Sequence, residues 1–186
     1  HIHAFPDGRA YPCCFALDKY PVGDLNKNSM AEVFNNEDMK GIRKNMLANK
    51  ASKHCTKCYD QEKSGFFSLR LSSNKHFGHN IGMVDNTQPD GSADFVIKYW
   101  DIRFSNLCNL ACRSCGTWFS SNWYEDHKKL TGKPPNHAKI MKVGRSSDDI
   151  WQQMLEQFEH VEQFYFAGGE PIIMEEHYRI LKELDK

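Results

Sequence analysis

Apolar and polar residues along this chain fall into short runs separated by turn chemistry, a pattern that predicts small strands and amphipathic helices. In "HIHAFPDGRAYPCC", Pro6-Asp7-Gly8 stands between two short apolar stretches and predicts a hairpin that delivers Cys13 and Cys14 at the end of its second strand. Ser29 with Glu32 makes a capping box, after which Met30, Val33 and Phe34 begin a helical face. Asn35 restarts a helix that carries Met39, Ile42, Met46 and Leu47 on one side and ends near Asn49. Residues 72–94 are rich in Ser, Asn, Gly, Asp and His, with Pro89-Asp90-Gly91 as a turn, and read as a linker. From Tyr99 the chain alternates, Trp100, Ile102 and Phe104 on one face and Tyr99, Asp101 and Arg103 on the other, which is strand behaviour. A helix is expected through Trp118, Phe119, Trp123 and Tyr124, with those aromatics as its core and a stop near Gly132-Lys133-Pro134. "SSDDIWQQMLEQFEH" is the clearest helix: Ser146 or Ser147 caps it, Asp148 and Asp149 suit its positive end, and Ile150, Trp151, Met154, Leu155 and Phe158 line one face. "VEQFYFAGGEP" then reads as a buried strand ending at paired glycines.

The resulting β-α-β-α order predicts an α/β fold with a parallel sheet and functional loops at the carboxyl ends of its strands. Composition agrees with a folded chain: of 186 residues, 40% are hydrophobic and 26% charged. Twenty-four basic and 24 acidic residues cancel, so no net field draws the chain to nucleic acid or to an anionic bilayer. No apolar run approaches the ~20 residues of a spanning helix and no leader is visible, so a cytoplasmic protein is expected. Both ends read as cut, the first inside a strand and the last inside a helical pattern, and we expect a fragment.

Seven cysteines change the picture. They cluster as Cys13-Cys14, as Cys55-x2-Cys58, and as Cys108-x3-Cys112-x2-Cys115, which in a reducing compartment reads as metal ligation. Thiolates are soft ligands that select zinc, copper(I) or iron-sulfur centres. Four would close a site, whereas three can hold three irons of a four-iron cluster and leave one iron open to a small molecule. Cys55 and Cys58 fit half of a zinc ribbon, a redox dithiol, or two ligands of an iron-sulfur cluster. His1, His3, His54, His76 and His79 read as surface or packing residues, and the basic run of Lys40, Arg43, Lys44, Lys50, Lys53 and Lys57 as a solvated helix face.

The triplet in a loop after a strand, followed by "AGGEP" (Ala167 to Pro171) after the next strand, resembles the radical SAM enzymes. That resemblance implies that Cys108, Cys112 and Cys115 hold a catalytic 4Fe-4S cluster and that Gly168, Gly169, Glu170 and Pro171 position S-adenosylmethionine. It implies reductive cleavage of S-adenosylmethionine to a 5′-deoxyadenosyl radical that abstracts hydrogen from a substrate, a peptide or protein by analogy, with an electron donor such as flavodoxin or ferredoxin. One position departs: Ser114 stands where many members have an aromatic residue. "GRAYPCC", "VGDL", "SMAEVFN" and "CTKC" further resemble the SPASM and twitch regions, implying an auxiliary iron-sulfur cluster on Cys55 and Cys58 with Cys13 and Cys14, either both of these or one of them together with a cysteine from upstream as the fourth ligand. The expected organisation is a small α+β twitch-like region over 1–75, a linker over 76–98, and the start of a partial (β/α) barrel over 99–186. The competing reading is a non-catalytic zinc-binding module using Cys13, Cys14, Cys55 and Cys58.

Overall fold

The computed structural model describes residues 1–146 and 148–186; Ser147, one of the two expected helix caps, lies outside the described residues. The hairpin forms as its turn chemistry demands. Strands β1 (Ile2–Ala4) and β2 (Arg9–Tyr11) pair antiparallel, His3 opposite Tyr11, and β3 (Gly23–Asp24) adds to β2. Gly8 takes the turn's left-handed position at φ 92°, and the Asp7 carboxylate accepts from the Arg9 backbone N–H at 3.2 Å and from Nε at 2.6 Å.

Helix α1 (Met30–Phe34) starts at the Ser29–Glu32 capping box, and α2 (Glu37–Leu47) follows. The cap of α2 is Asn36, whose side chain accepts from the Met39 N–H, and not Asn35 as expected. Asn35 is engaged elsewhere: its amide donates to the Ala93 carbonyl at 2.8 Å and accepts from the Ala93 N–H at 3.1 Å. A 3-10 turn (Lys53–Cys55) leads into α3 (Thr56–Lys63).

The stretch expected as a linker is structured. Helix α4 (Leu69–His76) runs into a 3-10 helix (Gly78–Asn86), which is pinned through Glu162. The Glu162 carboxylate accepts from Asn80 Nδ2 at 3.0 Å and pairs with His79 at 2.8 Å and Lys98 at 3.2 Å. The Asn80 amide, with Lys98 and His79, holds this carboxyl down at about 2. Residues 88–93 are tied to α2: Lys40 pairs with Asp90 at 2.9 Å, and the Arg43 guanidinium donates to the Gly91 carbonyl at 2.9 Å and to the Phe34 carbonyl. Lys40 and Arg43 are therefore anchors, not members of a solvated face.

Strand β4 (Tyr99–Ile102) pairs parallel with β1, Ile2 opposite Trp100 and Ala4 opposite Ile102. Strand β5 (Gln163–Phe164) pairs parallel with β4, giving one mixed sheet in the order β3-β2-β1-β4-β5. This sheet is open; the described strands do not close a barrel. Ile2, Ala4, Ala10, Trp100 and Ile102 point to one side, where Met30 and Val33 of α1, Ile150 and Met154 of α6 (Asp149–Leu155) and Ile180 of α7 (Glu175–Leu184) cover them. Fully burying each of the Ile, Val and Met side chains among them contributes about 1.5–3 kcal/mol, which makes this layer the core.

Three expectations are corrected. The last strand is two residues long and not buried, with Gln163 exposed, Phe164 half-buried and Tyr165 50% exposed, because β5 is the outer strand of the sheet. Trp118 and Phe119 lie in turns before α5 (Trp123–Thr131), which buries none of its residues fully, so those aromatics are not a helix core. The end of α5 falls where expected, at Gly132 with φ 72°. Ser146 does not cap α6: Asp148 occupies the cap position, and its carboxylate pairs with Arg179 at 2.7 Å. Among the described residues no helix is long and apolar enough to cross a membrane.

Candidate functional site

The amino-terminal cysteines meet in one cavity. Cys13 and Cys14 leave the end of β2 in a turn closed by the Ala16 N–H donating to the Cys13 carbonyl at 3.2 Å. Cys55 caps α3, and Cys58, 5% exposed, points inward from its first turn. These four thiols, with His1, His54 and Tyr99, line a cavity of about 180 Å³. Burial pushes the Cys13 thiol up, and the neighbouring Cys55 and Cys58 add to that shift. Burial likewise raises Cys55, with Cys58 as the next cause. Cys14 looks a different way: burial first, then Asp101 and Cys13, push its thiol up to about 11. His54 is packed between Ser52 and the Tyr20 ring, and burial lowers its pKa, as for a core histidine.

The donor set suits a soft metal group. Its spread does not suit a single ion: among the described residues, no three His, Cys, Asp or Glu groups are placed to hold one. A soft metal group there would stabilise the thiolate form, which burial by itself disfavours.

The carboxyl end of β4 feeds the triplet. Asn106, fully buried, is its anchor: Nδ2 donates to the Thr117 and Lys139 carbonyls at 3.1 Å each, and Oδ1 accepts from the Met141 N–H at 2.8 Å. The Asn106 carbonyl also accepts from the Ser121 N–H at 2.7 Å, and Ser121 Oγ accepts from the Cys108 N–H at 3.1 Å. Farther along, Trp123 Nε1 donates to the Cys112 carbonyl at 3.1 Å and the Cys115 N–H donates to the same oxygen at 3.0 Å. The loop is thus stapled through its backbone while its thiols stay accessible, Cys112 exposed and Cys108 and Cys115 half-buried. The Leu110 N–H donates to Cys108 Sγ at 3.3 Å.

The Gly-Gly-Glu-Pro segment packs directly on this loop. The Gly169 N–H donates to the Phe119 carbonyl at 3.0 Å and the Glu170 N–H to the Leu107 carbonyl at 2.8 Å. Gly168 and Gly169 have φ 80° and 59°; a Cβ on the first would strike the Arg103 side chain and on the second the Leu107 carbonyl oxygen. Only glycine fits this turn and this approach. Glu170 Oε1 accepts from the Ile172 N–H at 3.3 Å, and Pro171 opens the 3-10 turn Pro171–Ile173.

Between the two cysteine groups lies a polar junction that the sequence did not disclose. His3 Nδ1 and Asp101 Oδ2 face each other at 2.9 Å across the β1–β4 pair, with side chains 1% and 0% exposed. Arg103 Nε stands 4.0 Å from the same carboxylate, and its guanidinium lies over the rings of Phe5 and Phe119. His3 is therefore a paired core residue. The alternation that put Asp101 and Arg103 on one strand face was the available signal; the partner on β1 carried none.

Comparison with curated proteins and with solved structures gives no match. Residues 1–59, which supply all four thiols of the cavity, match the family model of SPASM, an iron-sulfur cluster-binding domain; the amino-terminal region is SPASM-like, and the match supports iron-sulfur cluster binding there.

Proposed function

We propose that this protein is a radical SAM enzyme in which the SPASM-like region accompanies a catalytic centre at the Cys108–Cys115 loop. One observation carries the reading. The triplet loop and the Gly168–Pro171 turn, far apart in sequence, are joined by the Gly169 and Glu170 backbone hydrogen bonds at the carboxyl ends of the adjacent parallel strands β4 and β5. That is the side of a parallel sheet on which ligands bind.

In this reading Cys108, Cys112 and Cys115 hold a 4Fe-4S cluster that keeps one iron open and supplies the electron for reductive cleavage of S-adenosylmethionine. Gly168 and Gly169 leave the backbone bare at the turn, so the amino-acid end of S-adenosylmethionine can approach it closely. The Asn106 and Ser121 contacts hold the loop at fixed height above the sheet, and the half-buried Trp118 and Trp123 limit water around it. Strands β4 and β5 with their helices are the opening units of a partial (β/α) barrel over 99–186, and 76–98 connects it to the region over 1–75. Cys13, Cys14, Cys55 and Cys58 supply the auxiliary cluster, a peptide or protein is the substrate class favoured by analogy, and a flavodoxin- or ferredoxin-type protein is the electron donor.

The test is electron paramagnetic resonance of the anaerobically reconstituted, dithionite-reduced protein with and without S-adenosylmethionine. A reduced four-iron signal that shifts on adding the ligand is the expected result. A signal unchanged by the ligand would overturn the radical SAM reading.

A further inference from the structure

Arg70 reaches the four-cysteine cavity from a fixed position. Cys58 and Glu62 lie one turn apart on α3, and Arg70 stands in the first turn of α4. Ser68 caps α4 by accepting from the Leu71 N–H at 3.2 Å, and its hydroxyl donates to Glu62 Oε1. The Glu62 carboxylate takes the guanidinium in a fork, accepting from Arg70 Nε at 3.1 Å on Oε1 and from a terminal nitrogen on Oε2. Arg70 also lies over the Tyr59 ring, 5.2 Å from its centroid.

The pair is oriented: Arg70 lines the cavity with the four cysteines, whereas Glu62 does not. Among the described residues no Asp, Glu or Lys lines this cavity, and Arg70 is its one arginine. The second terminal nitrogen of Arg70 has no hydrogen-bond partner among the described residues. An ion pair that only braced the α3–α4 corner would be indifferent to which end faced the thiols. The thiols register the difference: burial and then Cys58 raise Cys55, and Arg70 is the leading cause in the other direction, ahead of the opposing Glu62.

We propose that Arg70 sets the charge balance of the amino-terminal site: held by Glu62 and Ser68, it offsets the negative charge of a thiolate-bound cluster and raises its reduction potential. The inference rests on the iron-sulfur reading of Cys13, Cys14, Cys55 and Cys58. Thiolate ligands leave such a cluster anionic, and reduction adds one more negative charge. A cation in the cavity wall, where the dielectric constant is lower than in water, stabilises the reduced form more than the oxidised one. Glu62 and Ser68 are positioning residues, which keep the guanidinium turned to the thiols.

The experiment is a redox titration with dithionite and mediator dyes, followed by electron paramagnetic resonance. It uses the anaerobically reconstituted full chain in the Cys112→Ala background, so that the signal comes from the amino-terminal site. Arg70→Gln is expected to lower the equilibrium constant for one-electron reduction about tenfold, a fall of about 59 mV in midpoint. Glu62→Gln, which removes the counter-charge, is expected to raise the midpoint, and Arg70→Lys to restore most of the wild-type value. A bracing role would cost both Gln variants thermal stability without shifting their midpoints in opposite directions. An unmoved midpoint in Arg70→Gln, or a shift of the same sign in both Gln variants, would overturn the proposal. If Arg70→Gln does not fold, Glu62→Gln decides: a raised midpoint supports the charge role and an unchanged or lowered one sinks it. Iron content separates the two readings. A protein that takes up no iron sinks the iron-sulfur reading and the proposal with it, whereas bound iron with an indifferent midpoint sinks the proposal alone.

Discussion

The two groups of cysteines are built on opposite plans. Cys13, Cys14, Cys55 and Cys58 come from separate elements and converge on one cavity, where burial raises the Cys13, Cys14 and Cys55 thiols. Cys108, Cys112 and Cys115 come from a single loop, fixed by hydrogen bonds to its backbone, with the thiols turned toward solvent. A walled site suits a group that stays; an open one suits a group that must admit a second ligand. The difference teaches that site openness is set by what anchors the backbone, not by the number of cysteines.

The hardest test of this contrast is Cys112→Ala. It is expected to abolish cleavage of S-adenosylmethionine while iron at the amino-terminal site persists, as read by product chromatography and iron analysis; retained cleavage would erase the distinction. Next comes Asn106→Ala, which strands the Met141 N–H and the Thr117 and Lys139 carbonyls beneath the triplet loop. Its expected cost is about 3 kcal/mol in urea unfolding, with alkylation of Cys58 in the folded state unchanged. The smallest effect concerns thiol reactivity in the metal-free protein. Cys112 should be alkylated first and Cys58 last. Cys14 should be slow at about pH 8 despite its exposure, because only the thiolate reacts. Its group is raised from 9.0 to about 11, so its labelling rate should keep climbing as pH rises toward 11; a plateau near 9 would contradict the geometry that places Asp101 beside it.

Much of this arrangement was legible locally. The Ser29–Glu32 box, the Pro6-Asp7-Gly8 turn and the Gly132 stop are decided within a few residues, and each formed as read. The cysteine spacings on which the expectation of ligation rests are local in the same way. What the sequence withheld is non-local. Asn35 lost its capping role to Ala93, and Arg43 found its partners in the Gly91 and Phe34 carbonyls, backbone groups that no side-chain pattern marks. Asn106 reads as one polar residue after a strand until its three partners, up to 35 residues away, arrive around it. The 78–86 stretch looked like a linker because its order comes from Glu162, on the far side of the chain.

The parallel pairing of β1 with β4 has a consequence for how the molecule can be rearranged. Neighbouring rungs of one ladder, not the peptide between them, fix the amino-terminal cysteines relative to the triplet. The turn from Gln88 to Ser92 has its own anchorage, closed by the Gly91 N–H on the Gln88 carbonyl and held to α2 through Asp90 and Gly91. A nick there should yield two fragments that remain one body, and a permuted chain in which the carboxyl-terminal segment is translated first should assemble the same sheet.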